Sequence, residues 1–201
     1  MRQCELTGAW SWSTVAWSCR RSAAPVDFAR VLATLAGFFE REGIRYAVVG
    51  AFGLQAYGRG RATMDVDLVT EADAQARVLG FLESLGYETL HVSSGYSNHV
   101  HSMREMGRVD IVYVGGDTSR LLFGQCVPAL ELEERHLPVP RPEHLAAMKV
   151  QAMKNDPGRT LQEMADIQFL LQVPGIDDVE VRGYFERAGL LERYHEIKRL
   201  A

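Results

Sequence analysis

The sequence runs to 201 residues, 47% hydrophobic and 24% charged, with a formal net charge of −4. That is enough apolar material for the core of one domain, or of a domain with an appended lobe, and the acidic balance excludes a protein that coats nucleic acid through general positive charge. Cys4, Cys19 and Cys126 form no CxxC pair, so a reducing, cytoplasmic setting is expected rather than a zinc site or a disulfide framework, and no apolar run approaches the ~18–20 residues of a membrane span.

Residues 1–25 fit no period beyond a short run at Thr14–Trp17. They read as an extension, either flexible or docked through Trp10, Trp12 and Trp17. They lack the basic region and continuous apolar stretch of a signal peptide. From Val26 the pattern is helical: Phe28, Val31, Leu32, Leu35, Phe38 and Phe39 recur at helical spacing. Pro25 and Asp27 suit the start of that helix and Gly43 its stop. Residues 45–49 read as a buried strand ending at Gly50, 51–57 as a short helix and 65–69 as the next strand. A helix is expected over 71–85 with Gly86 as its cap, a strand over 87–92 and a turn over 93–98. Residues 99–103 and 108–114 read as a hairpin turning near 105–107. A helical turn over 118–124 and one or two short edge strands over 129–140 follow. Helices are expected over 142–154, 160–172, 177–187 and 189–199, with breaks at Asn155-Asp156-Pro157-Gly158 and Pro174-Gly175. The fold class is α/β: a mixed-sheet core over 26–140, then a helical lobe over 141–201. No internal repeat is present.

The chemistry concentrates in Tyr46–Val69. An apolar strand stops at Gly50, where a helix begins at once, and free N–H groups at such a start suit phosphate. A basic glycine loop, Gly58-Arg59-Gly60-Arg61, leads to Asp65-Val66-Asp67-Leu68. Strand alternation turns both aspartates to one face and Val66 and Leu68 to the other. Paired carboxylates repel unless a cation sits between them, and Mg²⁺ takes oxygen ligands while keeping substrate phosphates in its shell. Asp110, between Val109 and Ile111, supplies a third carboxylate on a later strand. This set of parts suits in-line displacement at the α-phosphate of a nucleoside triphosphate.

The stretch Gly50-Ala51-Phe52-Gly53…Gly58-Arg59-Gly60-Arg61-Ala62-Thr63-Met64-Asp65-Val66-Asp67-Leu68 resembles the nucleotidyltransferase superfamily that includes DNA polymerase beta. It resembles most closely the small bacterial nucleotidyltransferases of abortive-infection and type IV toxin–antitoxin systems. Arg108-Val109-Asp110-Ile111 is similar to the family's third-carboxylate strand. Arg141-Pro142-Glu143-His144-Leu145…Lys149 is similar to its lysine-bearing helix, and Asp166-Ile167…Leu170 to its last motif. The resemblance spans about residues 28–172. It implies a Mg²⁺-dependent enzyme, with Mn²⁺ as a substitute, moving a nucleoside monophosphate to an acceptor hydroxyl. Asp65, Asp67 and Asp110 would hold metal and carry catalysis. Gly50, Ala51, Arg61, Thr63 and Lys149 would hold nucleotide, and Asp166 would tie the helical lobe to the site or take part in it. The implied acceptor is a tRNA 3′ end, a protein hydroxyl or a small molecule such as an antibiotic. A cognate antitoxin or regulator is an implied partner.

Ala51 departs from the family's Gly or Ser, removing any hydroxyl contact to phosphate. That departure keeps open a second reading, a catalytically weakened binding module or antitoxin partner. Either Lys154 or Arg159 stands where relatives place an arginine. His99 and His101 share a strand face but read as polar strand residues, not as a metal pair. Arg182, Arg187, Arg193, Lys198 and Arg199 alternate with glutamates and read as a solvated face.

Overall fold

The computed structural model describes residues 25–132 and 134–200. Residues 1–24, with the Thr14–Trp17 strand and the tryptophan-docking readings, lie outside the described residues.

Helix α1 (Phe28–Glu42) starts where the Asp27 carboxylate accepts the Arg30 N–H at 3.0 Å, and it stops at Gly43, left-handed at φ 63°. Its apolar stripe of Val31, Leu32, Leu35, Phe38 and Phe39 is buried. Strand β1 (Tyr46–Val48), helix α2 (Gly50–Ala56) and strand β2 (Asp65–Glu71) follow. A short 3₁₀ turn then leads into α3 (Gln75–Ser84). Phe81 of α3 stacks on Phe38 of α1 with centroids 4.0 Å apart, a contact that links the two helices. Strands β3 (Tyr87–Val92), β4 (Tyr96–His101) and β5 (Arg108–Val114) complete a five-stranded sheet in the order β1-β2-β5-β4-β3. Among the described strands of this sheet only the β2–β5 pair is parallel.

Helix α4 (Gly116–Gly124) precedes the hairpin β6 (Val127–Leu132) and β7 (Arg135–Val139), a separate two-stranded sheet. Four helices close the chain: α5 (Pro142–Asn155), α6 (Thr160–Leu170), α7 (Asp178–Ala188) and α8 (Leu191–Leu200). The fold class is the α/β one expected.

Several boundaries moved, and two of the shifts have a visible reason. Strand β2 runs on to Glu71 because its pairing with β5 continues to Glu71↔Val114. The Glu71 carboxylate also accepts the Arg45 N–H at 3.1 Å and its guanidinium at 2.7 Å, which holds it in the strand. The expected turn over 93–98 shrinks to three residues. Ser93 N–H donates to the Tyr96 carbonyl at 2.7 Å, and Tyr96 already pairs with Val112.

Candidate active site

In β2, Val66 and Leu68 are 0% and 1% exposed in the core, while Asp65 and Asp67 face the other way, half-buried. The parallel register of β2 and β5 sets Asp67 directly across from Asp110. One oxygen from each of Asp65, Asp67 and Asp110 lies within 4.8 Å of the others. Among the described residues this is the cluster able to hold a metal ion. Burial, then the neighbouring charges of Asp65 and Asp110, raise the Asp67 carboxyl to about 7. Burial also raises Asp110, opposed by a hydrogen bond that Tyr96 donates to Oδ2 at 2.9 Å. The other oxygen of Asp110 is buried without a hydrogen-bond partner. The Thr63 hydroxyl donates to the Asp65 carboxylate and orients it. Three hard oxygen donors, one of them orphaned, fit a divalent cation.

Gly50 is explained by Asp67. It sits at φ 60°, and a Cβ there would lie 1.9 Å from Asp67 Oδ2. Only glycine lets the carboxylate stand against the backbone. The helical ladder of α2 begins with Gly53 N–H donating to the Val49 carbonyl at 2.9 Å. The amides of Gly50, Ala51 and Phe52 therefore have no partner within the helix. Ala51 is 4% exposed.

The third wall is a buried charge network. Glu163 and Asp166, 0% and 1% exposed, lie three residues apart on α6. The Lys149 ammonium is 2.8 Å from Glu163 and 2.7 Å from Asp166. Arg59 and Arg61 reach Asp166 at 3.3 and 3.6 Å, and Arg159 reaches Glu163 at 2.6 Å. Four cations thus meet two carboxylates. Lys149 and Arg159 also lower the Asp67 pKa, which puts this excess of positive charge beside the triad. Replacing Asp166 with Ala leaves the buried Lys149 with Glu163 alone and takes the carboxylate from Arg59 and Arg61. We expect it to lower the stability measured by urea denaturation by about 3 kcal/mol.

The expected site residues therefore fall into two groups. Gly50 stands against Asp67 with Ala51 next to it in the chain, and Thr63 holds Asp65, so these residues gather around the three aspartates. Lys149 and Arg61 border this group, but in this structure both turn to Asp166, which joins α6 to the glycine loop as one of its two expected roles required. Arg159, not the exposed Lys154, stands by the carboxylates. His99 is a buried structural residue between Thr89 and Ser97, at 3.0 and 2.8 Å. His101 binds the Leu85 carbonyl at 3.0 Å. In the C-terminal helices Arg182 and Arg193 pair with Glu186 and Glu196, as a solvated face would.

Sequence reasoning missed Tyr96, Arg59 and Glu163. Tyr96 was hidden by the Ser-Ser-Gly turn signal before it, although its alternation with buried Ser97 and His99 marks a strand. Glu163 shares the Asp166 face at i, i+3, the one hint that a buried cation would need two acids. Beside Tyr96 a cavity of about 600 Å³ opens between β5, α4 and α5.

No family model matches the sequence, and no curated protein does. Solved structures do. The antibiotic-resistance factor ANT(2'')-Ia in solution is 12% identical, with a TM-score of 0.63 over 86% of this chain and 95% of its own. Its complex with adenylyl-2''-tobramycin is 13% identical, with a TM-score of 0.61 over 83% of this chain and 98% of its own. Lincosamide antibiotic adenylyltransferase LnuA, lincomycin-bound, is 17% identical, with a TM-score of 0.52 over 72% and 96%. A nucleotidyltransferase-like protein from Paracoccidioides brasiliensis is 17% identical, with a TM-score of 0.54 over 88% and 94%. The shared property is the nucleotidyltransferase fold.

Proposed function

From that fold, we propose that this chain is a nucleotidyltransferase that moves a nucleoside monophosphate from a nucleoside triphosphate to an acceptor hydroxyl. The observation that carries the reading is Asp67, set across from Asp110, beside Asp65 and against Gly50. Asp65, Asp67 and Asp110 would hold Mg²⁺, with Mn²⁺ as a substitute. Such an ion neutralises charge developing on the phosphate and lowers the pKa of an attacking hydroxyl. The excess cations of the Arg59, Arg61, Lys149 and Arg159 network favour a polyphosphate at the cleft. The amides of Gly50 and Ala51 face the outer phosphates, and Thr63 keeps Asp65 oriented.

The acceptor oxygen bonds to the α-phosphorus, the bond to the β-phosphate oxygen breaks, and pyrophosphate leaves with that electron pair. Asp110 takes the acceptor's proton. The Tyr96 hydrogen bond to Oδ2 holds the Asp110 carboxylate in place for that transfer. ANT(2'')-Ia holding adenylyl-2''-tobramycin and LnuA holding lincomycin support a small-molecule acceptor here over a tRNA 3′ end or a protein hydroxyl. A toxin–antitoxin setting, with a cognate regulator, would instead require one of the macromolecular acceptors.

Pyrophosphate release from each NTP with Mg²⁺, in the presence of a small-molecule, RNA or protein fraction, tests the proposal. Release should require Mg²⁺ and disappear in Asp110→Asn, which keeps the shape of the side chain. Release untouched in Asp110→Asn contradicts it. Nucleotide binding with no release from any NTP favours the binding-module reading that Ala51 left open.

A further inference from the structure

The cavity beside Tyr96 bears on which acceptor the site takes, and the inference rests on the nucleotidyltransferase reading above. Displacement at phosphorus is in line, so the attacking oxygen and the leaving pyrophosphate lie on opposite sides. The sheet order β1-β2-β5-β4 gives those sides an address. Gly50 and α2 follow β1 at one end, Asp65 and Asp67 lie on β2, Asp110 on β5 and Tyr96 on β4. With the outer phosphates at Gly50, the attacking oxygen arrives from the β5–β4 side. The cavity of about 600 Å³ opens there. Its wall includes Tyr96, which is bonded to Asp110, and Val112, two residues beyond Asp110 on the same face of β5.

The lining also sets the chemistry. Val112, Val114, Leu121, Leu122 and Met148 form an apolar surface, and Thr118, Gln151, Asn155 and Tyr184 set uncharged polar groups beside it. Its charged members are Asp156 and Arg159, and Arg159 is paired with Glu163 at 2.6 Å. A polyamine brought here would lose its hydration and find one carboxylate to offset several ammonium groups. We propose that this cavity is the acceptor subsite, and that it takes an uncharged small molecule with an apolar body that presents a hydroxyl to Asp110. The volume suits a ligand of drug-like size held mainly by apolar contact and fixed by few polar groups.

Benzyl alcohol, an apolar ring with one hydroxyl, is the probe, and methionine-methyl NMR is the readout. It should shift the Met148 methyl, and benzylamine should bind at least about tenfold more weakly, the cost of desolvating an ammonium. Filling the cavity with Ala147→Trp, or charging its rim with Leu121→Lys at a 60% exposed position, should weaken benzyl alcohol about tenfold while Mn²⁺·ATP binding stays within about twofold. Mn²⁺ should broaden the alcohol's methylene protons, and Asp65→Ala should remove that broadening without releasing the alcohol. Equal or tighter binding of benzylamine overturns the proposal, as does contact of the ring outside the cavity. Loss of ATP binding in both variants overturns it by making the cavity the nucleobase site. If the wild type binds benzyl alcohol in the cavity but no Mn²⁺·ATP, the nucleotidyltransferase reading fails, and the acceptor assignment with it. If Mn²⁺·ATP binds and benzyl alcohol does not, the acceptor assignment alone fails.

Discussion

An Asp67→Asn protein is expected to lose nucleotidyl transfer by a thousandfold or more, on the order of 4 kcal/mol of transition-state stabilisation, and yet to melt higher than the wild type in metal-free buffer at pH 7.5. Both effects come from one placement. Asp67 is held by burial, Asp65 and Asp110 so that its carboxyl is raised to about 7. In the unfolded chain the same carboxyl titrates near its ordinary value of about 3.9. Between those two pH values the folded state binds more protons than the unfolded state, so stability falls as pH rises through that window. The metal-free wild type should therefore melt lower at pH 7.5 than at pH 5. Asn at position 67 removes the repulsion and the part of the slope that Asp67 contributes. A gain of about 2 kcal/mol, roughly 5 °C for a chain this size, is expected at pH 7.5. Mg²⁺ should raise the melting temperature of the wild type at pH 7.5 and leave the variant unmoved. A wild-type melting temperature flat between pH 5 and pH 7.5, with a destabilised Asn variant, would show that Asp67 is not under that repulsion.

Gly50→Ala should fail for a different reason, one that no loss of chemical function explains. The added methyl would meet Asp67 Oδ2 at 1.9 Å, in a backbone conformation at φ 60° that side chains rarely adopt. Either the start of α2 or the Asp67 side chain must move. A cost of about 3 kcal/mol is expected, a fall of roughly 8 °C in melting temperature. Transfer should fall with it, because the carboxylate that yields is a proposed metal ligand. Pairing Gly50→Ala with Asp67→Ala separates the two causes. The double variant should recover the part of the stability that the collision cost and none of the activity. If the double variant is no more stable than Gly50→Ala alone, the collision is not what Gly50 avoids.

How much of this was legible in the sequence follows from how local each signal is. Strand alternation at Asp65-Val66-Asp67-Leu68 is decided by neighbours in the chain, and it placed both carboxylates on one face. The α1 stripe, its Asp27 cap and its Gly43 stop are equally local. The pairing of β2 with β5 joins residues more than forty positions apart, so the sequence could propose Asp110 as a partner but not its register with Asp67. A shorter separation was enough to hide the Lys149 network, whose acids lie 14 and 17 positions further on. Lys149 read as a phosphate ligand on an apolar helix face, because nothing near it in the chain announces the two α6 carboxylates it meets. Tyr96 was lost to a strong turn signal that ends three residues earlier than the composition suggests. The cavity wall draws on β4, β5, α4 and α5 at once, and no single segment carries a trace of it.

If this site transfers the nucleotidyl group of an NTP, two labels must part company. With Mg²⁺ and an acceptor fraction, a label on the α-phosphorus should appear on the acceptor, and a label on the γ-phosphorus should appear in pyrophosphate, both lost in Asp65→Asn. A γ-label found on the acceptor, or α-label transfer undiminished in Asp65→Asn, would mean that the site does not perform nucleotidyl transfer through these aspartates.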